Sequence, residues 1–160
     1  MTQRAAELAD AFESAHAQVV QAVAEASAEQ WTTSMADEQW PIGYGFYHLA
    51  EGYELVRGWI EEGANGRGPT VLDPAAIDAK NALSLAAHPR CAKDEVLALC
   101  TERGRRLAEL VRGLTDEQLA RAALTVPDGT TRTVEQVASD PMLSHVRTHM
   151  ASIKAATGLG

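Results

Sequence analysis

Three histidines have the type and spacing needed to bind a metal ion: His48, His145 and His149. The last two stand at positions i and i+4, which places both imidazoles on one face of an α-helix, one turn apart. Two imidazoles in that arrangement can share an ion with a third from a neighbouring helix, and three nitrogen ligands leave coordination positions open for water, hydroxide or a thiolate. Imidazole suits zinc, nickel, iron and copper, so the residues predict a divalent metal ion without selecting one.

The elements that would carry these histidines are predicted by apolar periodicity. Helical spacing of apolar residues predicts main helices over residues 3–29, 42–62, 92–114 and 133–156, with a short alanine-rich helix over 75–87. No segment predicts a sheet. The sequence therefore predicts an all-α four-helix bundle with short extra helices in the connections, in a single domain over residues 1–160.

Within the second main helix, His48 lies near the edge of the apolar stripe. Gly45 and Gly52 lie beside it on the wheel. An interior glycine costs a helix roughly 1 kcal/mol relative to alanine. These two glycines therefore predict space next to His48 for an ion, a water molecule or a ligand.

The last helix begins with a capping-box pattern at Thr133, and its apolar arc includes both His145 and His149. Pro141 either kinks this helix or restarts it, since proline is tolerated at a first helical position. In both cases the two histidines share one helical stretch and face inward.

Composition limits the class of partner. The chain has a net charge of −8, and its one dense basic cluster, which includes Arg103, is flanked by acidic residues, so no nucleic-acid binding is predicted. No apolar run is long enough for a membrane span, and the N-terminus lacks the apolar core of a signal peptide. Cys91 and Cys100 form no CxxC motif, and a cytoplasmic location is the prediction.

Other side chains are weaker candidates. Arg103 falls within the apolar arc of its helix and could bind a substrate carboxylate, although its stem could equally extend along the surface to solvent. Trp59 extends the face that carries His48 and is a candidate for contact with substrate. We expect His16 to be packed or to line a pocket, His88 to be solvated, and Cys100 to be an ordinary core thiol.

Three segments resemble one known family, the DinB/YfiT-like metalloenzymes. They are Trp40-Pro41-Ile42-Gly43-Tyr44-Gly45-Phe46-Tyr47-His48-Leu49-Ala50-Glu51, the stretch Leu114-Thr115-Asp116-Glu117-Gln118-Leu119, and Thr133-Val134-Glu135-Gln136-Val137 followed by the His145/His149 pair. The resemblance implies a bundle with up-down-down-up connectivity, for which the long connection over 63–91 is suitable. It also implies a divalent metal ion, often zinc or nickel, held by His48, His145 and His149, and frequent pairing into a homodimer.

Characterised members of that family are thiol-dependent. They include S-transferases that use bacillithiol, mycothiol or glutathione, and a mycothiol-dependent maleylpyruvate isomerase. The resemblance therefore implies a metal-dependent enzyme that activates a small-molecule thiol for attack on an electrophilic substrate, by S-transfer or isomerisation. The alternative is a bundle that binds a metal or ligand without turnover, as a stress-linked sensor or a dimeric interaction module. A purely structural bundle is the third hypothesis.

Overall fold

The structure, a computed structural model, describes residues 2–159. Within that range the chain forms eight helices: α1 (Gln3–Glu25), α2 (Ala28–Thr32), α3 (Ile42–Ala64), α4 (Pro74–Ala87), α5 (Lys93–Arg112), α6 (Asp116–Leu119), α7 (Val134–Ser139) and α8 (Pro141–Thr157). Three short strands complete it: β1 (Thr70–Val71), β2 (Ala122–Thr125) and β3 (Thr131–Thr133). The predicted four-helix bundle is confirmed, and its long helices are α1, α3, α5 and α8.

The helices α3 and α5 are parallel neighbours. The Cys100 thiol is 3.5 Å from the Phe46 carbonyl oxygen, and further along both helices Arg106 lies 3.6 Å from Glu54. Parallel neighbours cannot be joined by a tight turn, and the connection over residues 65–92, which contains β1 and α4, carries the chain back to the start of the bundle.

The other two helices run the opposite way. Near one end of α5, Lys93 donates to the Ala24 carbonyl, and near its other end Arg112 lies 2.7 Å from Asp10, so α1 is antiparallel to α5. Because α8 is antiparallel to α3, through the histidine contacts described below, the order is up-down-down-up.

The first predicted helix is interrupted. α1 ends at Glu25, and Ser27 starts α2 with a capping box in which its hydroxyl accepts from the Gln30 N–H and the Gln30 side chain accepts from the Ser27 N–H. The Ser-x-x-Gln pattern that encodes this break is present in the sequence. The last predicted helix is also interrupted: α7 ends at Ser139, and Pro141 begins α8.

A small three-stranded sheet, which the sequence did not predict, accompanies the helices. β2 and β3 form an antiparallel hairpin, and β1 pairs in parallel with β2 in the register Thr70 to Leu124. The hairpin turn includes Gly129, whose φ of 85° suits glycine. The strands contain two to four residues each, which is too short for an alternating pattern to be recognised.

The apolar core fills the space between the four long helices. Fully buried side chains include Phe12, Phe46, Leu49, Ile60 and Leu107. None of the helices within residues 2–159 combines the length and apolar character that crossing a bilayer requires.

Candidate metal centre

The three predicted histidines meet between α3 and α8. Nε2 of His48 is 3.2 Å from Nε2 of His145, and the ring centroid of His149 lies 4.8 Å from that of His48 and 4.7 Å from that of His145. One ligand atom from each histidine can be chosen so that all lie within 4.8 Å of one another. Two nitrogens bound to one tetrahedral zinc ion, with bonds of about 2.05 Å, would be about 3.3 Å apart. The His48–His145 distance therefore already fits a shared ion.

Gly52 makes room for this arrangement, but not in the way predicted. A Cβ at Gly52 would lie 2.1 Å from Cε1 of His145, so the missing side chain leaves room for the imidazole itself. Gly45 does not contribute to the site. A Cβ there would lie 2.9 Å from the terminal methyl of Met35 and 3.7 Å from Ile153, so this glycine accommodates core packing instead.

Burial favours the neutral form of all three imidazoles. Burial, reinforced by His149 and Lys80, lowers the pKa of His48 to about 4, and burial, reinforced by His149 and His48, lowers that of His145 to about 3. Burial also lowers the pKa of His149, against the opposing effect of Glu38. Neutral imidazole is the form that binds a metal ion. The Nδ1 atom of His48 is also buried without a hydrogen-bond partner among the described residues.

The loop before α3 covers one side of the histidines. Trp40 stacks on His149 with 6.1 Å between centroids and lies edge-on to His48 at 4.9 Å. Glu38 Oε1 is 3.1 Å from Nδ1 of His149, and Oε2 is buried without a hydrogen-bond partner in the part of the chain described. The loop therefore supplies a carboxylate to the centre, which no periodic pattern in the sequence indicated.

The histidines form part of the wall of a cavity of about 820 Å³. Its apolar wall comes from α3, α4 and the sheet, with the side chains of Leu55, Val56, Trp59, Leu72, Ile77, Leu85 and Leu124. Its charged side chains are Glu38, Glu51, Asp78, Lys80, Arg132 and Asp140. Volumes of 300–1,000 Å³ are typical of small-molecule sites. An ion held by the histidines would face a space large enough for an organic ligand.

The helix α4 closes this cavity through a few polar contacts. Ser84, its one buried residue, donates to Glu51 on α3 at 2.6 Å. The Tyr44 hydroxyl donates to the Asn81 carbonyl at 3.1 Å. The sequence predicted the helix but not its position over the site.

The remaining candidate residues differ in where they lie relative to the cavity. Trp59, a candidate for contact with substrate, lines the cavity, whereas α5, which carries Arg103, contributes no residue to the described lining. The prediction that His88 is solvated is wrong: its Nε2 is 3.1 Å from the Tyr47 hydroxyl and the two rings stack. His16 is packed, with Nδ1 3.2 Å from the Tyr53 hydroxyl.

Comparison with known proteins agrees with this architecture. The family model described as the DinB superfamily matches residues 11–153. The fold is similar to that of YfiT from Bacillus subtilis, described as a probable metal-dependent hydrolase with an unusual four-helix bundle topology. That match has a TM-score of 0.75 and 21% identity, and covers 100% of this chain and 91% of the other. Among curated proteins, none matches this chain significantly.

Proposed function

Since the chain belongs to the DinB superfamily, we propose that it is a metal-dependent enzyme in which His48, His145 and His149 hold a divalent ion, zinc or nickel in the first instance and iron as a further candidate. The observation that carries the proposal is the convergence of three neutral imidazoles on the wall of a cavity of organic-ligand size. A structural zinc site usually has four protein ligands, whereas three leave room for an exchangeable ligand.

The reaction we propose is transfer of a small-molecule thiol to an electrophilic substrate. A bound ion would supply Lewis acidity, lowering the pKa of a ligand thiol and stabilising the thiolate. The three histidines would fix the ion, while the apolar wall formed by Leu55, Trp59 and Ile77 would bind the electrophile and limit the access of water. The reaction type rests on the family resemblance, and the volume of the cavity supports it.

Hydrolysis is the second candidate. YfiT is described as a probable metal-dependent hydrolase. In this chain the carboxylates of Glu38 and Glu51 line the same cavity, where either could accept a proton from a water molecule. A bundle that binds the metal or a ligand without turnover, as a sensor or dimeric module, is the non-enzymatic alternative.

Metal analysis of tag-free protein tests the centre itself. We expect stoichiometric metal in the wild type and a large loss in His145→Ala. His16→Ala is the matched control, because it removes a half-buried histidine from α1, which contributes no residue to the cavity lining. Equal metal content in the wild type and His145→Ala would refute the centre.

Activity assays then separate the candidates. Wild-type protein, loaded with metal or stripped by a chelator, is incubated with bacillithiol, mycothiol or glutathione and a panel of electrophiles, and separately with ester and amide substrates. Metal-dependent thiol consumption supports the transferase, and metal-dependent cleavage without a thiol supports the hydrolase. Tight ligand binding without turnover in either panel would favour the binding module.

A further inference from the structure

We infer that Glu38 is a positioning residue of the metal centre, which holds the His149 ring by Nδ1 so that Nε2 is presented to the ion. This inference rests on the proposed metal function. It concerns a residue in an irregular loop, 111 positions from the histidine it contacts.

The first support is the contact itself. Glu38 Oε1 lies 3.1 Å from Nδ1 of His149, and the side chains are only 25% and 10% exposed. The distance is within hydrogen-bond range but the alignment is not, so a rotation of the ring is needed to complete an Nδ1–H to carboxylate bond. A carboxylate that accepts this hydrogen bond fixes the tautomer and raises the basicity of the opposite nitrogen.

The second support is that the loop fixes the position of Glu38. The Met35 N–H donates to the Trp40 carbonyl at 2.8 Å, and the Gln39 N–H donates to the Met35 carbonyl at 3.1 Å, closing a tight turn around Glu38. Gln39 has a φ of 58°, a left-handed conformation that non-glycine residues seldom adopt. Met35 anchors the loop, since it is fully buried against the surface left open by Gly45.

The third support is chemical. The second oxygen of Glu38 is buried without a hydrogen-bond partner among the described residues, although the same carboxylate lines the cavity. Among the described residues, the side chains whose ligand atoms all lie within 4.8 Å of one another are those of the three histidines. Glu38 is not among them, so the geometry supports a positioning role over direct ligation.

Zinc affinity, measured by competition with a chromophoric chelator, tests the inference in Glu38→Gln. The matched control is Glu51→Gln, which neutralises another acid of the same cavity; Glu51 accepts from Ser84 and has no hydrogen bond or ion pair to a histidine within residues 2–159. We expect zinc affinity to fall about 10- to 100-fold in Glu38→Gln, as for other residues that orient a metal ligand, and to change less than about 3-fold in Glu51→Gln. Equal losses would indicate a general charge effect and overturn the inference.

The tautomer of His149 is a readout that does not require activity or a variant of Glu38. In metal-free wild-type protein labelled with ¹⁵N-histidine, long-range ¹H–¹⁵N correlation spectra should show His149 protonated at Nδ1, with the signal assigned by its loss in His149→Ala. Predominant protonation at Nε2 would overturn the inference even if Glu38→Gln failed to fold. If the wild type bound no zinc, both the proposed function and the inference would fall. Zinc binding of equal strength in wild type and Glu38→Gln would overturn the inference alone.

Discussion

Replacing Gly52 by alanine should disable the metal centre while leaving the bundle folded. An ideal Cβ at this position would lie 2.1 Å from Cε1, 2.6 Å from Nδ1 and 3.0 Å from Nε2 of His145. Real Cβ atoms do not approach other atoms this closely, so the imidazole must leave its position. Because the ring is the end of a side chain that can rotate, it can move without displacing the backbone of α8.

The expected magnitudes differ for stability and for metal binding. Forcing an extra methyl group into a packed site destabilises a protein by about 1–3 kcal/mol. Alanine in place of an interior helical glycine stabilises the helix by about 1 kcal/mol. The free energy of unfolding should therefore fall by no more than about 2 kcal/mol. Residues that only orient a ligand contribute about 10- to 100-fold to metal affinity. Displacing a ligand should therefore weaken zinc binding by at least about 100-fold.

Gly58→Ala is the matched control, because Gly58 lies on the same helix and a Cβ there would meet nothing within 4 Å. It should stabilise the protein by about 1 kcal/mol and leave zinc affinity unchanged. Urea denaturation of the metal-free proteins and zinc competition with a chelator provide the two measurements. Wild-type zinc affinity in Gly52→Ala, or an equal loss of affinity in Gly58→Ala, would refute the argument that this glycine makes room for His145.

Three further results are expected. In Gly104→Ala the new Cβ would lie 2.3 Å from Cε1 of His16, so the free energy of unfolding should fall by up to about 2 kcal/mol. Zinc affinity in the same competition assay should be unchanged, and weakened zinc binding would contradict the prediction. Cys100 is fully buried and burial raises its pKa to about 12, so mass spectrometry should show no alkylation at pH 8 until the protein unfolds, and labelling of the native protein would be the contrary result. Metal-free protein should lose stability below pH 6.5, because burial holds the pKa of His48 near 4 and that of His145 near 3, so that the unfolded chain binds more protons. The free energy of unfolding, measured by urea denaturation at a series of pH values, should fall by up to about 1.4 kcal/mol per pH unit for each histidine. A denaturation midpoint that does not change with pH would argue against buried neutral rings.

The sequence predicted the part of the fold that depends on long periodic segments. The apolar stripes of α3 and α8 are several turns long, so the inward placement of His48, His145 and His149 followed from helical geometry alone. The capping box at Thr133 has a four-residue signature, Thr-x-x-Gln, and also appears as predicted. The break before α2 carried the same kind of signature at Ser27, and the long apolar spacing across it concealed the signal.

What could not be predicted depends on tertiary contacts between distant segments. Glu38 lies in a loop without periodicity, and its relation to His149 arises only when α8 packs beside α3. His88 precedes a proline at the end of α4, a position typical of solvated residues, yet the contact with Tyr47 places it against α3. Arg103 is half-buried on α5, and a helical wheel does not show which neighbour such a residue meets.

The antiparallel pairing of α3 and α8 explains why so few residues suffice to build the centre. His145 lies beside Gly52 and reaches His48 one turn earlier on α3, and His149 continues in the same direction, toward Trp40 in the loop before α3. The contacts that align the two helices are therefore also those that gather the ligands. A shift of one residue in either helix would turn a histidine by about 100°, so the register of the core and the geometry of the metal centre are set by the same packing.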